Sequence, residues 1–284
     1  MSIHTGNVTG RCGRIEAVPS RNGPGHFTPL VMIPSYNTGK KLFETVLAAR
    51  CFWSTVWVVV DGSTDHSPET LASAFPFDPG LRVIVLSRNR GKGVAIRYGA
   101  EEASRLGFSH VLAMDADGQH PARLIPEFMD CARSHPDSLI LGRPIFDVTA
   151  PPLRVHGRKI SNWFANLETL WAGMGDSLFG FRVYPIGPLL EAFKKSPGMR
   201  GFDFDPEAAV RISWSGTPMI NLEAPVTYFS QSEGGVSHFR YFRDNVLLTW
   251  MHIRLIFGFL LRFPMLLWRR TKSFSRSKMR SRPT

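Results

Sequence analysis

Short apolar runs alternate with segments of helical period along the first half of the chain. Pro29 to Pro34 (PLVMIP), Thr55 to Val60 (TVWVVV), Leu81 to Leu86 (LRVIVL), His110 to Met114 (HVLAM) and Ser138 to Leu141 are too short for buried helices. Their apolar, partly β-branched composition predicts strands, with Thr55 to Val60 read as a buried one. Between them KKLFETVLAAR, Val94 to Leu106 and Pro121 to Arg133 read as helices, with Leu42, Val46 and Ala49 along one face of the first. Strands alternating with helices predict right-handed crossovers and an α/β fold built on a largely parallel, doubly wound sheet. Such sheets bind ligands at the carboxyl ends of their strands. The polar loops at those ends are 35–40, 61–65, 88–92 and 115–120. From about Ile145 onward clean strand signals thin out, and that half is read as an extension of the same domain.

The fourth run ends in two carboxylates, Asp115 and Asp117, within VLAMDADGQHP. If the strand continues through Asp117, both face one side. They then repel, and one stays protonated unless a cation neutralises the pair. Mg²⁺ or Mn²⁺, which prefer oxygen ligands, would do so; a plain Asp-Gly turn is the other reading. Asp61 closes the second run, where it suits hydrogen bonds from a nucleotide base or ribose, and equally the cap of the helix after Pro68. Arg90, Gly91, Lys92 and Gly93 precede a helix, where charge and backbone N–H groups can meet phosphate. The Walker spacing is absent.

Composition adds a partner. The chain has 284 residues, 43% hydrophobic, enough for one large α/β domain. Cys12, Cys51 and Cys131 form neither zinc spacing nor a disulfide framework. The first 27 residues lack an apolar core segment and are read as a flexible lead-in. The net charge is +11, and past Pro264 there are basic residues and no acids. Before that tail, Val246 to Trp268 has the length of a spanning helix but is interrupted by His252, Arg254, Arg262 and Pro264. Arg240, Arg243, Arg254 and Arg262 fall on one side at helical spacing. That pattern predicts a helix lying in an anionic membrane surface with a polybasic anchor; a buried C-terminal helix with a solvated tail is the alternative. A basic patch interleaved with aromatic residues is lacking, so no nucleic acid partner is expected.

Four segments in order, IPSYN (Ile33 to Asn37), VVDGSTD (Val59 to Asp65), RNRGKGVAIRYG (Arg88 to Gly99) and MDADGQHP (Met114 to Pro121), resemble the family 2 glycosyltransferases. The nearest subgroup is that of the dolichyl-phosphate and polyprenyl-phosphate sugar synthases. SLFGFRVYP (Ser177 to Pro185), preceded by Asp176, resembles that group's D-x-x-x-GFR segment. GFDFDPEAAVR (Gly201 to Arg211) resembles the segment whose acid faces the acceptor, and EGGVSHFRYFRD (Glu233 to Asp244) a late loop.

The resemblance implies a GT-A fold, with a Rossmann-like, mostly parallel sheet flanked by helices. It implies a lead-in over 1–27, a catalytic domain over 28–240 with a nucleotide half (28–144) and an acceptor half (145–240), and an amphipathic helix with a polybasic tail over 241–284. It also implies a UDP- or GDP-sugar donor, Mg²⁺ or Mn²⁺, and inversion at the anomeric carbon. Asp117 would be the principal metal ligand, with Asp115 and Gln119 on the metal or the donor. Pro34, Tyr36 and Asn37 would border the nucleotide, Asp61 would meet the base or ribose, and Lys92 would lie near the same side. Arg182 would reach the diphosphate or the acceptor, and His238 and Arg240 would close over the diphosphate. A lipid phosphate acceptor is already anionic, whereas a hydroxyl acceptor needs a base. Asp203, Asp205 and Glu207 are the candidates, Asp205 first, with a solvated helix cap as the plain alternative.

The chain departs from the family in three places. It has Val60-Asp61 where two acids are frequent, no counterpart of the paired transmembrane helices of some synthases, and no QxxRW motif of processive synthases. The expectation is a transferase peripheral on the inner face of the cell membrane, moving a sugar to a lipid-linked acceptor. The alternative is a catalytically inactive membrane-bound nucleotide-sugar sensor or scaffold.

Overall fold

The computed structural model describes residues 26–146, 152–227 and 241–280. Nearly all of the predicted lead-in, and the late-loop residues His238 and Arg240, lie outside them.

The strands among the described residues form one sheet: β1 (Pro29–Ser35), β2 (Val56–Asp61), β3 (Leu81–Leu86), β4 (His110–Ala113), β5 (Leu139–Ile145), β6 (Arg182–Pro185) and β7 (Met219–Pro225), in the order β3-β2-β1-β4-β6-β5-β7. β3, β2, β1 and β4 run parallel, as do β5 and β7. β6 is antiparallel to both its neighbours, β4 and β5. The first five strands stand where the apolar runs predict them, and the mostly parallel order follows. β6, four buried residues inside the SLFGFRVYP segment, is the element that alternation did not predict.

The helices are α1 (Lys40–Phe52), α2 (Ser67–Ala74), α3 (Lys92–Arg105), α4 (Ile125–Ser134), α5 (Pro152–Glu168), α6 (Ile186–Lys195), α7 (Phe204–Trp214) and α8 (Tyr241–Arg280). They cover both faces of the sheet. Leu30 and Met32 of β1 enter one core with Ile96 and Ala100 of α3, while Val31 and Ile33 enter the other with Val46 of α1 and Phe128 of α4. That is the two-residue alternation of a strand. Each such side chain buried in full contributes about 1.5–3 kcal/mol.

α8 packs on α5 and α7, and its Leu248, Met251, Leu255, Phe259 and Leu266 complete the first core. Its arginines are not spread along the wet edge that the sequence pattern suggests. Arg254 turns inward to Glu207 (3.0 Å), Arg262 lies 4.8 Å over the Trp214 ring, and Arg269 donates to the Trp214 carbonyl (2.7 Å). Arg243 stays exposed. A buried carboxylate and an aromatic face on α7 explain the inward turn, since both hold a guanidinium more firmly than water does. The opposite arc of α8 exposes Val246, Trp250, Ile253, Phe257, Leu261 and Trp268. The span Phe242–Thr271 is long and apolar enough to cross a membrane, yet 28% of its apolar window is buried in the domain.

Candidate active site

The loops at the carboxyl ends of β1, β2, β3 and β4 converge, and each is tied by its own polar residues. Asn37 adopts a left-handed backbone conformation (φ 46°) and bridges two loops. Its N–H donates to Ser63 Oγ (3.0 Å), and its Oδ1 accepts from the Thr64 N–H (2.7 Å). Pro34 is buried at the end of β1, and Tyr36 beside it is half-buried. Asp65 accepts from the Gly39 N–H (2.7 Å) and the Ser67 hydroxyl (2.6 Å), which ties the first loop to the start of α2.

Asp61 is buried, and its oxygens accept from the backbone N–H groups of Arg90 (3.0 Å) and Gly91 (2.6 Å). Burial raises its pKa, with the N–H groups pulling the other way. The residue expected to meet base or ribose is thus the anchor of the 88–91 loop in this structure. Val60 beside it is fully buried in the core, so the second acid frequent in the family has no polar substitute.

The charged centre forms at Lys92, the first residue of α3. Its ammonium lies 2.6 Å from Asp115 Oδ1 and 2.7 Å from Asp205 Oδ2. Burial opposes the charge on Lys92, but the two carboxylates overcome it and raise the pKa. Burial likewise opposes the charge on Asp115, and the Lys92 ammonium outweighs it, lowering that pKa. Asp117 has no such cation. Its Oδ1 accepts from the Gln119 N–H (3.0 Å), yet burial and then the charge of Asp115 push its pKa up to about 6.

The continuation of β4 through Asp117 does not occur. β4 ends at Ala113, the Asp115 N–H donates to His120 Nδ1 (3.0 Å), and Gly118 turns the chain at φ 77°. Asp115 and Asp117 are therefore brought together by a ring and a turn, not by strand pleat.

At the start of α7, Asp203, Asp205 and Glu207 are all buried, which excludes the solvated cap. Asp205 Oδ2 meets Lys92, while its buried Oδ1 has no partner. Glu207 is held by Ser196 (2.7 Å), Arg211 (2.7 Å) and Arg254 (3.0 Å). Arg182, expected to reach the diphosphate or acceptor, is wholly buried in β6. It donates to the carbonyls of Phe179 (2.7 Å), Asp176 (3.1 Å) and Asp205, and so binds the loop before β6 to the start of α7. Asp176 in turn accepts from Arg158 (2.6 Å) and Asn162 (2.9 Å) of α5.

Among the described residues no three His, Cys, Asp or Glu side chains gather as a closed metal cluster. The residues suit an open magnesium-type site instead, in which one or two carboxylates hold the ion and water and substrate phosphates complete it. Asp117 is the carboxylate left free for that, since Lys92 already neutralises Asp115. Two residues of the centre were missed in the sequence, His120 and Gly180. Their signals lay in the QHP after the paired acids and in a glycine between two phenylalanines, but the contacts they make are long-range.

The site is a mostly parallel α/β sheet with acids, a lysine and anchored loops at its carboxyl edge. Residues 30–190, more than half of the chain, match Glycosyl transferase family 2, and the chain belongs to that family. It is a glycosyltransferase of GT-A fold. It is 25% identical to the undecaprenyl-phosphate mannosyltransferase of Micrococcus luteus over 72% of this chain and 85% of that one. It is 28% identical to the polyprenol monophosphomannose synthase of Mycolicibacterium smegmatis over 73% of this chain and 79% of that one. In fold it is similar to glucosyl-3-phosphoglycerate synthase of Mycobacterium tuberculosis, solved with Mn²⁺, UDP-glucose and phosphoglyceric acid. The TM-score is 0.57 at 14% identity, with 82% of this chain and 79% of that one covered.

Proposed function

We propose that this glycosyltransferase moves a sugar from a UDP- or GDP-sugar to a polyprenyl phosphate at the membrane surface, with inversion at the anomeric carbon. The observation that carries the reading is the Lys92–Asp205 ion pair (2.7 Å). Asp205 is the first candidate for a general base, and an ammonium already occupies it. An acceptor that arrives as a phosphate anion needs no base. Its oxygen attacks the anomeric carbon from the face opposite the leaving group. The bond from that carbon to the nucleoside diphosphate breaks, and the electron pair leaves with the diphosphate. The names of the two curated relatives support the same acceptor class.

Asp117, with Asp115 and Gln119 beside it, would hold Mg²⁺ or Mn²⁺, which when bound supplies Lewis acidity toward the diphosphate. Pro34, Tyr36 and Asn37 would border the nucleotide. Asp61 would act through the 88–91 loop that it anchors, and Arg182 through the segments that it joins. For His238 and Arg240 the proposal stays as the family resemblance states it, over the diphosphate.

Membrane contact is proposed for the outer arc of α8. That arc is apolar from Val246 to Trp268 and leads into the basic tail, a combination suited to an anionic interface. α5 adds two exposed apolar residues of its own, Ile160 and Trp163. The test is a screen of UDP- and GDP-hexoses with Mn²⁺ or Mg²⁺, measuring nucleoside diphosphate release with and without polyprenyl phosphate. Release that depends on the lipid supports the reading. Release of equal rate without it argues for another acceptor.

A further inference from the structure

We propose that His120, Phe179, Gly180 and Phe181 form one positioning device, which seats the Lys92 ammonium between Asp115 and Asp205. The proposal rests on the transferase reading of this site and adds residues to it that do not themselves meet the substrate.

His120 is almost wholly buried. Its ring centroid lies 4.7 Å from that of Phe179, edge to face, and 5.5 Å from that of Phe181. Phe181 is itself packed 4.7 Å from Phe128 of α4. The imidazole is thus gripped from two sides by the segment leading into β6. Its Nδ1 accepts the Asp115 N–H (3.0 Å), so in the neutral ring the proton sits on Nε2. Nε2 faces Asp115 Oδ2 at 3.6 Å. The ring therefore fixes the Asp115 backbone and stands beside its carboxylate.

Gly180 performs the complementary task. A Cβ there would stand 2.6 Å from Lys92 Nζ and 3.0 Å from Asp115 Oδ2. The phenylalanines on either side hold His120, and the residue between them leaves the space that the ammonium fills. Phe-Gly-Phe and the two acids with their histidine, distant in sequence, are two halves of one mould. His120 and Gly180 are positioning residues that act through Asp115 and Lys92.

The test reads Lys92 directly in the full-length protein. Acetylation by a limiting anhydride, followed by mass spectrometry with exposed Lys194 as internal standard, reports how firmly the ammonium is held. Gly180→Ala is expected to raise Lys92 labelling about tenfold, because the ion pairs that suppress its free amine are broken. His120→Phe keeps the packing but loses the acceptor of the Asp115 N–H, and should do the same. His120→Asn retains an acceptor near the Nδ1 position and should label within about threefold of the parent.

Transfer kinetics supply the second readout. Gly180→Ala should lower kcat/KM about tenfold in the parent but less than about twofold in a Lys92→Ala background, since its target is then gone. Unchanged labelling in both Gly180→Ala and His120→Phe would overturn the proposal, as would an equal kinetic penalty in the two backgrounds. Labelling that follows the prediction in a protein that transfers nothing to polyprenyl phosphate would refute the acceptor assignment and leave the device standing.

Discussion

Lys92 and Asp205 are 113 residues apart in sequence, and their side chains meet at 2.7 Å. The pair joins the start of α3 to the first turn of α7. With Asp115 at 2.6 Å on its other flank, Lys92 is the internal cation of a site otherwise crowded with acids.

Removing that cation should therefore cost more than removing either acid. Lys92→Met leaves buried Asp205 and partly exposed Asp115 without a counter-ion, and should destabilise the fold by about 2–4 kcal/mol in denaturant unfolding. Lys92→Met combined with Asp205→Asn should recover part of that loss, because one unpaired charge is gone. A double variant no more stable than Lys92→Met would show that the two side chains are not coupled.

Asp117 carries a pH prediction. Its pKa in the folded protein is about 6, above the ordinary 3.8, so its ionised form opposes folding when no cation is present. Its relative contribution is intact below about 3.8 and is lost as pH rises through about 6. Asp117→Asn should accordingly stabilise the metal-free protein at pH 7.5, on the order of 1–2 kcal/mol after solvent screening, and by about half as much at pH 5, midway between the two pKa values. Thermal unfolding at both pH values checks this, and a gain of equal size at both would contradict it. The same variant should abolish metal-dependent turnover.

How much of this was legible in the sequence differs by element. β1 to β5 lie in or at runs whose composition suits strands, and Leu81–Leu86 agrees with β3 to the residue, although that strand lies at the sheet edge and is partly exposed. The paired acids and the GKG segment were visible as candidates because polar residues at strand ends stand out locally. β6 was not, since its four residues have no periodicity to read and its place between β4 and β5 depends on two long-range pairings. Arg182 looked like a ligand because an arginine after Gly-Phe resembles one; its buried carbonyl partners are a tertiary fact. The same holds for Arg254 and Arg262, whose spacing marks one face of α8 but not which face is wet.

The buried side of α8 should show itself in stability. Glu207→Ala strands Arg211 and Arg254 beside a core wall, at a cost of about 3–5 kcal/mol. Denaturant unfolding measures this, and a loss below about 1 kcal/mol would mean that the arginines hold α8 weakly.

The outer side should show itself in binding. Trp250→Glu with Phe257→Glu alters exposed positions only and should leave stability within about 0.5 kcal/mol. Flotation with anionic vesicles should fall sharply in that variant. High salt should weaken the contribution of the basic tail but spare the apolar one. Undiminished flotation would remove α8 from the membrane contact.

The central claim is that the acceptor is a phosphate anion and needs no base. The most direct measurement follows sugar label from the nucleotide donor into vesicle lipid, with polyprenyl phosphate compared against the corresponding polyprenyl alcohol. The account predicts label on the phosphate alone, dependent on Mg²⁺ or Mn²⁺ and absent in Asp117→Asn. Label on the alcohol at a comparable rate would contradict it, because a hydroxyl acceptor requires the base that Lys92 keeps engaged.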